Sequence, residues 1–182
     1  MDGSIRKVSN HSRSLRSVMV SSVELPEVEI SIASIQHLED AIHCWKLLVE
    51  DQSRYDGRLS HDSISELDQR NFLRSVILDG RLVVAIDSQS NLVGISTVAV
   101  DTNMLDSSSS VWNISDVWVD NRFRRKGIGG KMVGQCEVLA KSRGASEIRL
   151  QVFSSNQAAS MMYGRLGYTT VSRTMSKNID KY

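Results

Sequence analysis

Proline occurs once in this chain, at Pro26, and cysteine twice, at Cys44 and Cys136. A single proline leaves no room for a proline-rich linker, and eleven glycines without a period exclude a collagen-like repeat. Two cysteines with no C-x-x-C pair make neither a disulfide framework nor a zinc module, so a reducing, cytoplasmic setting is the expectation. No apolar run approaches the ~18 residues that cross a bilayer, so no membrane partner is expected. Charge of one sign is missing as well. Lys and Arg number 22 against 21 Asp and Glu, a net of +1, which is not the balance of a general nucleic-acid binder. Aromatics make up 5%, too few to line a stacking track for single strands. What remains is 182 residues, 41% hydrophobic, enough for one domain with one core.

The balanced total hides a division. Residues 1–23 carry +3, residues 24–116 carry −10 and residues 117–182 carry +8. An acidic and a basic half in one small domain suggest two ligands of opposite charge. Residues 1–23, rich in Ser and Arg, read as a disordered tail or a non-native extension, and residues 24–182 as the folded domain.

Val28 to Ile32 alternates as a strand. Ile35, Leu38, Ile42, Trp45 and Leu48 then recur at helical spacing, giving a helix to about Gln52. Ser63-Ile64-Ser65-Glu66 has the form of a capping box that opens a second helix to Ile77. Arg81 to Ile86 and Leu92 to Val100 form a hairpin, and Val111 to Val119 the next strand. A glycine-rich basic turn leads into a helix with Ile128, Met132, Cys136, Leu139 and Ala140 on one side, closed by Gly144. Ile148 to Phe153 is a strand, Asn156 caps a helix ending near Gly167, and Tyr168 to Lys177 reads as a last strand. The order β-α-α-β-β-β-α-β-α-β is that of one α/β domain with a mixed central sheet.

The most informative segment runs from Asn121 to Met132. Arg122, Arg124, Arg125, Lys126 and Lys131 share it with Gly127, Gly129 and Gly130, between a strand and a helix. Free amides at a helix start bind anions, and glycines let a phosphate approach the backbone closely. A pyrophosphate-bearing ligand is expected. A Walker A loop fails at Arg125 and Met132, and a dinucleotide fingerprint fails at Met132.

Arg124-x-x-Gly127-x-Gly129 resembles the acetyl-coenzyme A motif [RQ]-x-x-G-x-[GA] of the GNAT family of N-acetyltransferases. Its context is similar too. Val117-Trp118-Val119 precedes it, and Arg149 to Phe153 follows the helix. Asn156, Ala159 and Tyr163 match the family's N-x-x-A-x-x-x-Y segment, and Leu166-Gly167-Tyr168 its usual ending. The resemblance covers about residues 28–177 and is specific over 112–168. It implies a single GNAT-like domain that binds acetyl-CoA as cosubstrate in a gap between splayed parallel strands, 111–119 and 147–153. No metal is implied.

By that similarity the backbone of Val117, Trp118 and Val119 pairs with the pantetheine arm. The turn of Arg124, Arg125, Lys126, Gly127, Ile128, Gly129 and Gly130 holds the pyrophosphate. Many members have glycine where this chain has Arg125. Asn156 reaches the pantetheine, and Tyr163, seven residues on and on the same helix face, protonates the leaving thiolate. The reaction implied is direct attack of a primary amine on the acetyl carbonyl. Asp116 is the candidate base, directly or through water. Its neighbour Ser115 stands where polyamine-acetylating members carry glutamate, and strand alternation lets only one of the two face the cleft.

Residues 36–68 hold eight acids and three bases. That excess favours a cationic small-molecule amine, such as a polyamine, aminoglycoside or amino acid, or a peptide. His37 and His43 lack the spacing to share a metal, and His61, in a loop, is a candidate for the acceptor side. The chain is expected to act as a monomer or homodimer. A non-catalytic acyl-CoA sensor that kept the cofactor cleft is the alternative.

Overall fold

The computed structural model describes residues 27–60, 64–101, 110–177 and 179. The readings for residues 1–23, His61 and Ser63 lie outside these residues. The chain order is β1 (Val28–Ile32), a single 3-10 turn (Ile35–His37), α1 (Leu38–Ser53), α2 (Glu66–Leu78), β2 (Leu82–Asp87), β3 (Leu92–Val100) and β4 (Val111–Val119). A second 3-10 turn (Asn121–Phe123), α3 (Ile128–Ser142), β5 (Glu147–Leu150) and α4 (Gln157–Arg165) complete it. The five strands lie in sequence order, antiparallel from β1 to β4, with β5 parallel to β4.

Strand alternation sends successive residues to opposite faces, and each face has its own helices. Leu82, Val84, Ile95 and Trp118 pack with Leu38, Ala41, Cys44 and Leu48 of α1 and Leu73, Val76 and Ile77 of α2. Val83, Ala85, Val93, Val98, Trp112 and Ile114 pack with Met132, Val133 and Cys136 of α3 and Tyr163 of α4. The cap of α2 is Ser65, whose Oγ accepts from the Asp68 amide at 3.1 Å, so this helix begins later than the Ser63 pattern implied. Gly144 sits at φ +87 just past α3, the left-handed stop that its place predicted.

The last predicted strand does not form. Residues 168–177 pair with no strand, and Val171 and Met175 are 73% and 93% exposed. Those two are the only apolar side chains between Tyr168 and Lys177, so the segment has no face to bury. β propensity without such a face does not make a strand. β5 is also shorter than expected, because residues 151–153 leave the sheet.

Gly94 of β3 is pressed between layers. A Cβ there would stand 2.9 Å from the Trp118 carbonyl oxygen and 3.0 Å from Met132 Sδ. Gly94→Ala is therefore expected to destabilise the fold by about 2 kcal/mol. Calorimetry should read this as a fall of about 4–8 °C in the thermal midpoint.

Candidate active site

β4 and β5 pair from Val111↔Glu147 to Ile114↔Leu150 and no further. β4 continues to Val119 while residues 151–153 turn away. Among the described residues, the β5-facing edge of β4 beyond Ile114 therefore has no strand partner. A gap opens there between two parallel arms, as the resemblance implied.

The other edge of β4 carries a bulge. Ile95 pairs with Trp118 but Thr97 with Ser115, so Asp116 and Val117 together oppose Ser96. Asp116 sits at φ +56, a left-handed conformation that aspartate tolerates better than most residues. This break defeats simple alternation as a guide to which of Ser115 and Asp116 faces the gap. Thr97 Oγ1 donates to Asp116 Oδ2 at 2.7 Å. Burial pushes the Asp116 carboxyl above its ordinary value, and the Thr97 hydrogen bond opposes this only in part.

The glycine-rich turn comes directly after β4. The N-terminus of α3 has no side-chain cap, whereas Ser65 caps α2 and Asn156 caps α4. Its first helical bond runs from the Lys131 amide to the Gly127 carbonyl at 3.1 Å. Among the described residues, nothing accepts from the amides of residues 125–130. Gly127 lies at φ +79 with open space around its missing Cβ, which is where a side chain would both strain the backbone and obstruct the turn. Arg125, at φ +65, occupies the second left-handed position, which explains why glycine is common there in the family it resembles. Gly129 is packed differently, since a Cβ would meet Met162 Sδ at 3.2 Å. Its smallness lets α4 close on α3. The Ile128 side chain is 5% exposed, so only its amide is available to a ligand.

The five cations of this segment divide. Arg122 pairs with Asp120 at 3.0 Å, and Lys126 donates to the Arg122 carbonyl at 3.0 Å while lying over the Phe123 ring. Arg124 turns inward, with Nε donating to the Val119 carbonyl at 2.7 Å and its terminal nitrogen to Asp51 Oδ2. Arg125 and Lys131 are exposed and have no carboxylate partner among the described residues. The resemblance placed Arg124 in the anion site; here its guanidinium is engaged by Val119 and Asp51, and its amide donates to the Asn121 carbonyl at 3.3 Å.

On the other arm, Asn156 Oδ1 accepts from the Ala159 amide at 3.1 Å, which starts α4. Tyr163 is 7% exposed, with its ring edge-on to Tyr168 at 5.9 Å. Burial, and to a lesser degree the neighbouring Cys136 thiol, pushes its phenol up to about 12. Its hydroxyl has no hydrogen-bond partner among the described residues. Tyr168, by contrast, donates to Glu137 Oε1 at 2.8 Å. Both cysteines are buried: Cys44 faces the Leu92 carbonyl at 3.8 Å and Cys136 the Ser96 hydroxyl at 3.5 Å. Burial pushes their thiols up to about 12 and about 11.

Sequence reasoning counted Asp51, in the last turn of α1, among the acceptor-side acids without seeing its partners, and missed Tyr55 just beyond it. Trp118 Nε1 donates to Asp51 Oδ2 at 2.9 Å, and Arg54 pairs with Asp51 at 3.2 Å. Four residues on, Tyr55 stacks on Phe153 with ring centroids 5.8 Å apart. Thr97 was missed too. Arg54 apart, no local pattern marks these partners, which lie 19 to 98 positions apart in the chain. Four of the eight acids of residues 36–68 pair with bases of the fold: Glu39 with Arg70, Glu66 with Lys46, Asp56 with Arg58 and Asp51 with Arg124. That half of the acidic set is thus engaged by bases of the fold rather than left as open amine-binding carboxylates.

A model of the Acetyltransferase (GNAT) family matches residues 41–168. Streptothricin acetyltransferase of Streptomyces lavendulae is 32% identical over 94 residues, which is 50% of this chain and 45% of that protein. The match thus spans about half the length of that relative. Among solved structures, a mutant of the BH1408 protein from Bacillus halodurans superimposes with a TM-score of 0.70 at 20% identity, covering 83% of this chain and 99% of that one. An aminoglycoside N-acetyltransferase in complex with CoA does so with a TM-score of 0.66 at 15% identity, covering 84% and 95%. At these identities the two structures show a shared fold.

Proposed function

The chain belongs to the GNAT acetyltransferase family, and from that premise we propose that it transfers an acetyl group from acetyl-CoA to a primary amine by direct attack. The observation that carries this reading is the uncapped start of α3, its amides unpartnered among the described residues, beside the open edge of β4. A pyrophosphate fits the first and an amide-bearing pantetheine arm the second.

Bound acetyl-CoA would supply an activated acetyl carbonyl and a thiol leaving group. The amides of Arg125 to Gly130 hold the pyrophosphate, aided by the α3 dipole and by the charges of Arg125 and Lys131. The open edge at Val117, Trp118 and Val119 orients the arm, and one of its amides polarises the thioester carbonyl. Asn156 has its oxygen engaged in capping, so its Nδ2 is the group left to donate to the pantetheine. Tyr163 donates its proton toward the departing sulfur.

The acceptor must be a neutral amine when it attacks. An alkyl ammonium holds its proton at pH 7, and removing it costs roughly 4–5 kcal/mol. Asp116, with its proton affinity raised by burial, is the group to take that proton, directly or through water. A small molecule bearing several amino groups suits the reading best. The names of the streptothricin and aminoglycoside enzymes support that class.

The test is thiol release from acetyl-CoA across a panel of polyamines, aminoglycosides, streptothricin and amino acids. Release that depends on at least one amine is expected. Tight CoA binding with no release for any amine would instead favour an acyl-CoA sensor, a role that needs no buried phenol.

A further inference from the structure

The C-terminal end of α1 touches both arms of the gap. Asp51 meets the β4 arm through Trp118 and Arg124, and Tyr55, just past the helix, meets the β5 arm through Phe153. The two attachments differ in kind. The Tyr55–Phe153 stack is an exposed ring contact, with both residues more than a third accessible. Asp51 is the more enclosed: its side chain is 19% exposed and one oxygen, Oδ2, accepts from both Trp118 and Arg124.

Arg124 is the first residue of the glycine turn, and its two bonds fix where that turn leaves β4. Nε is held by the Val119 carbonyl at the strand end, and the outer nitrogen by Asp51. The next residues adopt two left-handed conformations, at Arg125 and Gly127, before α3 begins. A turn of that shape has many looser alternatives once its entry is released. Ordering it would then fall on the ligand.

We propose that Asp51 is a positioning residue for the cofactor turn: from the end of α1, on the acceptor side, it latches Arg124 to β4 and so presets the amides of residues 125–130 for a pyrophosphate. The guanidinium acts on the protein and not on the phosphate. Removing the Asp51 charge also removes an anion from the neighbourhood, which by itself would favour an anionic ligand. That effect is screened near the surface and is the smaller of the two. The latch also ties the cofactor turn to the helix end that leads to Tyr55 and, through it, to Phe153.

The inference rests on the acetyl-CoA reading, and the experiment separates the two. Coenzyme A binding is measured by calorimetry, and steady-state constants for both substrates, for wild type, Asp51→Asn, Arg124→Gln and the double variant. Asp51→Asn is expected to weaken CoA binding and raise the KM for acetyl-CoA about tenfold, the loss of one charge-assisted hydrogen bond. Its acceptor KM should stay within about twofold. The double variant should bind no worse than Arg124→Gln alone, since both changes open one latch. Asp51→Glu keeps the carboxylate and should recover most of the affinity, and it serves in place of the amide if that variant does not fold. CoA affinity that is unchanged or tighter in Asp51→Asn, additive losses in the double variant, or a rise confined to the acceptor KM would each overturn the latch. A wild-type chain that binds no CoA would overturn the acetyltransferase reading and the latch with it.

Discussion

Tyr163→Phe is expected to lower kcat at least about a hundredfold while leaving the KM for acetyl-CoA within about twofold. The ring is a packing element. It lies in the layer between the sheet, α3 and α4, edge-on to Tyr168, and phenylalanine keeps that volume. Only the hydroxyl is lost, and among the described residues it has no protein partner to leave stranded. Thermal stability should therefore change little, which separates a chemical role from a structural one. A phenol pushed up to about 12 remains protonated throughout the pH range in which the fold can be assayed. No limb of the rate profile below about pH 10 should then belong to it. The same raised value makes early proton loss unfavourable, so its help comes as a hydrogen bond that strengthens while negative charge builds on sulfur. A kcat for Tyr163→Phe within about threefold of wild type would remove Tyr163 from the mechanism.

Asp116→Asn separates activity from stability in the opposite direction. At pH 7, kcat/KM is expected to fall about a hundredfold through loss of the base. The deficit should narrow as pH rises toward the amine's own pKa, because free amine then forms without help. Stability should rise. The folded protein holds the Asp116 proton more tightly than the unfolded chain does. A group raised in this way stabilises the fold below its unfolded pKa, and that stabilisation is lost as pH climbs through the folded value. Above its unfolded pKa the wild type therefore bears a cost, of a buried charge or of proton uptake, that an amide does not. Asparagine also accepts the left-handed backbone at φ +56 and can keep the hydrogen bond from Thr97. A gain on the order of 1 kcal/mol corresponds to a thermal midpoint about 2–4 °C higher. The difference should shrink when melts are repeated at acid pH. An Asp116→Asn variant of unchanged activity would leave the carboxylate as a partner of Thr97 and nothing more.

The local devices were legible in the sequence. The β4 strand appears at its observed bounds because its apolar residues recur around Trp112, Ile114 and Trp118. The Asn156 cap and the Gly144 stop come from the chemistry of one or two residues. The glycine-rich turn was readable because its glycines and cations lie within one short segment. The bulge at Asp116 was not, since it is a mismatch of register between two strands. The inward turn of Arg124 was hidden for the same reason: its partner Asp51 lies 73 positions away. Counting charges treated the acids of residues 36–68 as open to a ligand, but two of the five bases paired with them, Arg70 and Arg124, lie outside that window. The strand expected over residues 168–177 failed on what it lacked, a second layer of apolar side chains.

Burial of Cys44 and Cys136 has a practical side. Neither sulfur offers a thiolate near neutrality, and neither is open to a reagent while the chain is folded. A colour-forming thiol probe added to the reaction mixture would thus count released coenzyme A and ignore the catalyst. A colour that grows without any amine, up to two equivalents per chain, would mark molecules coming unfolded and give a running internal gauge of how much native protein is left.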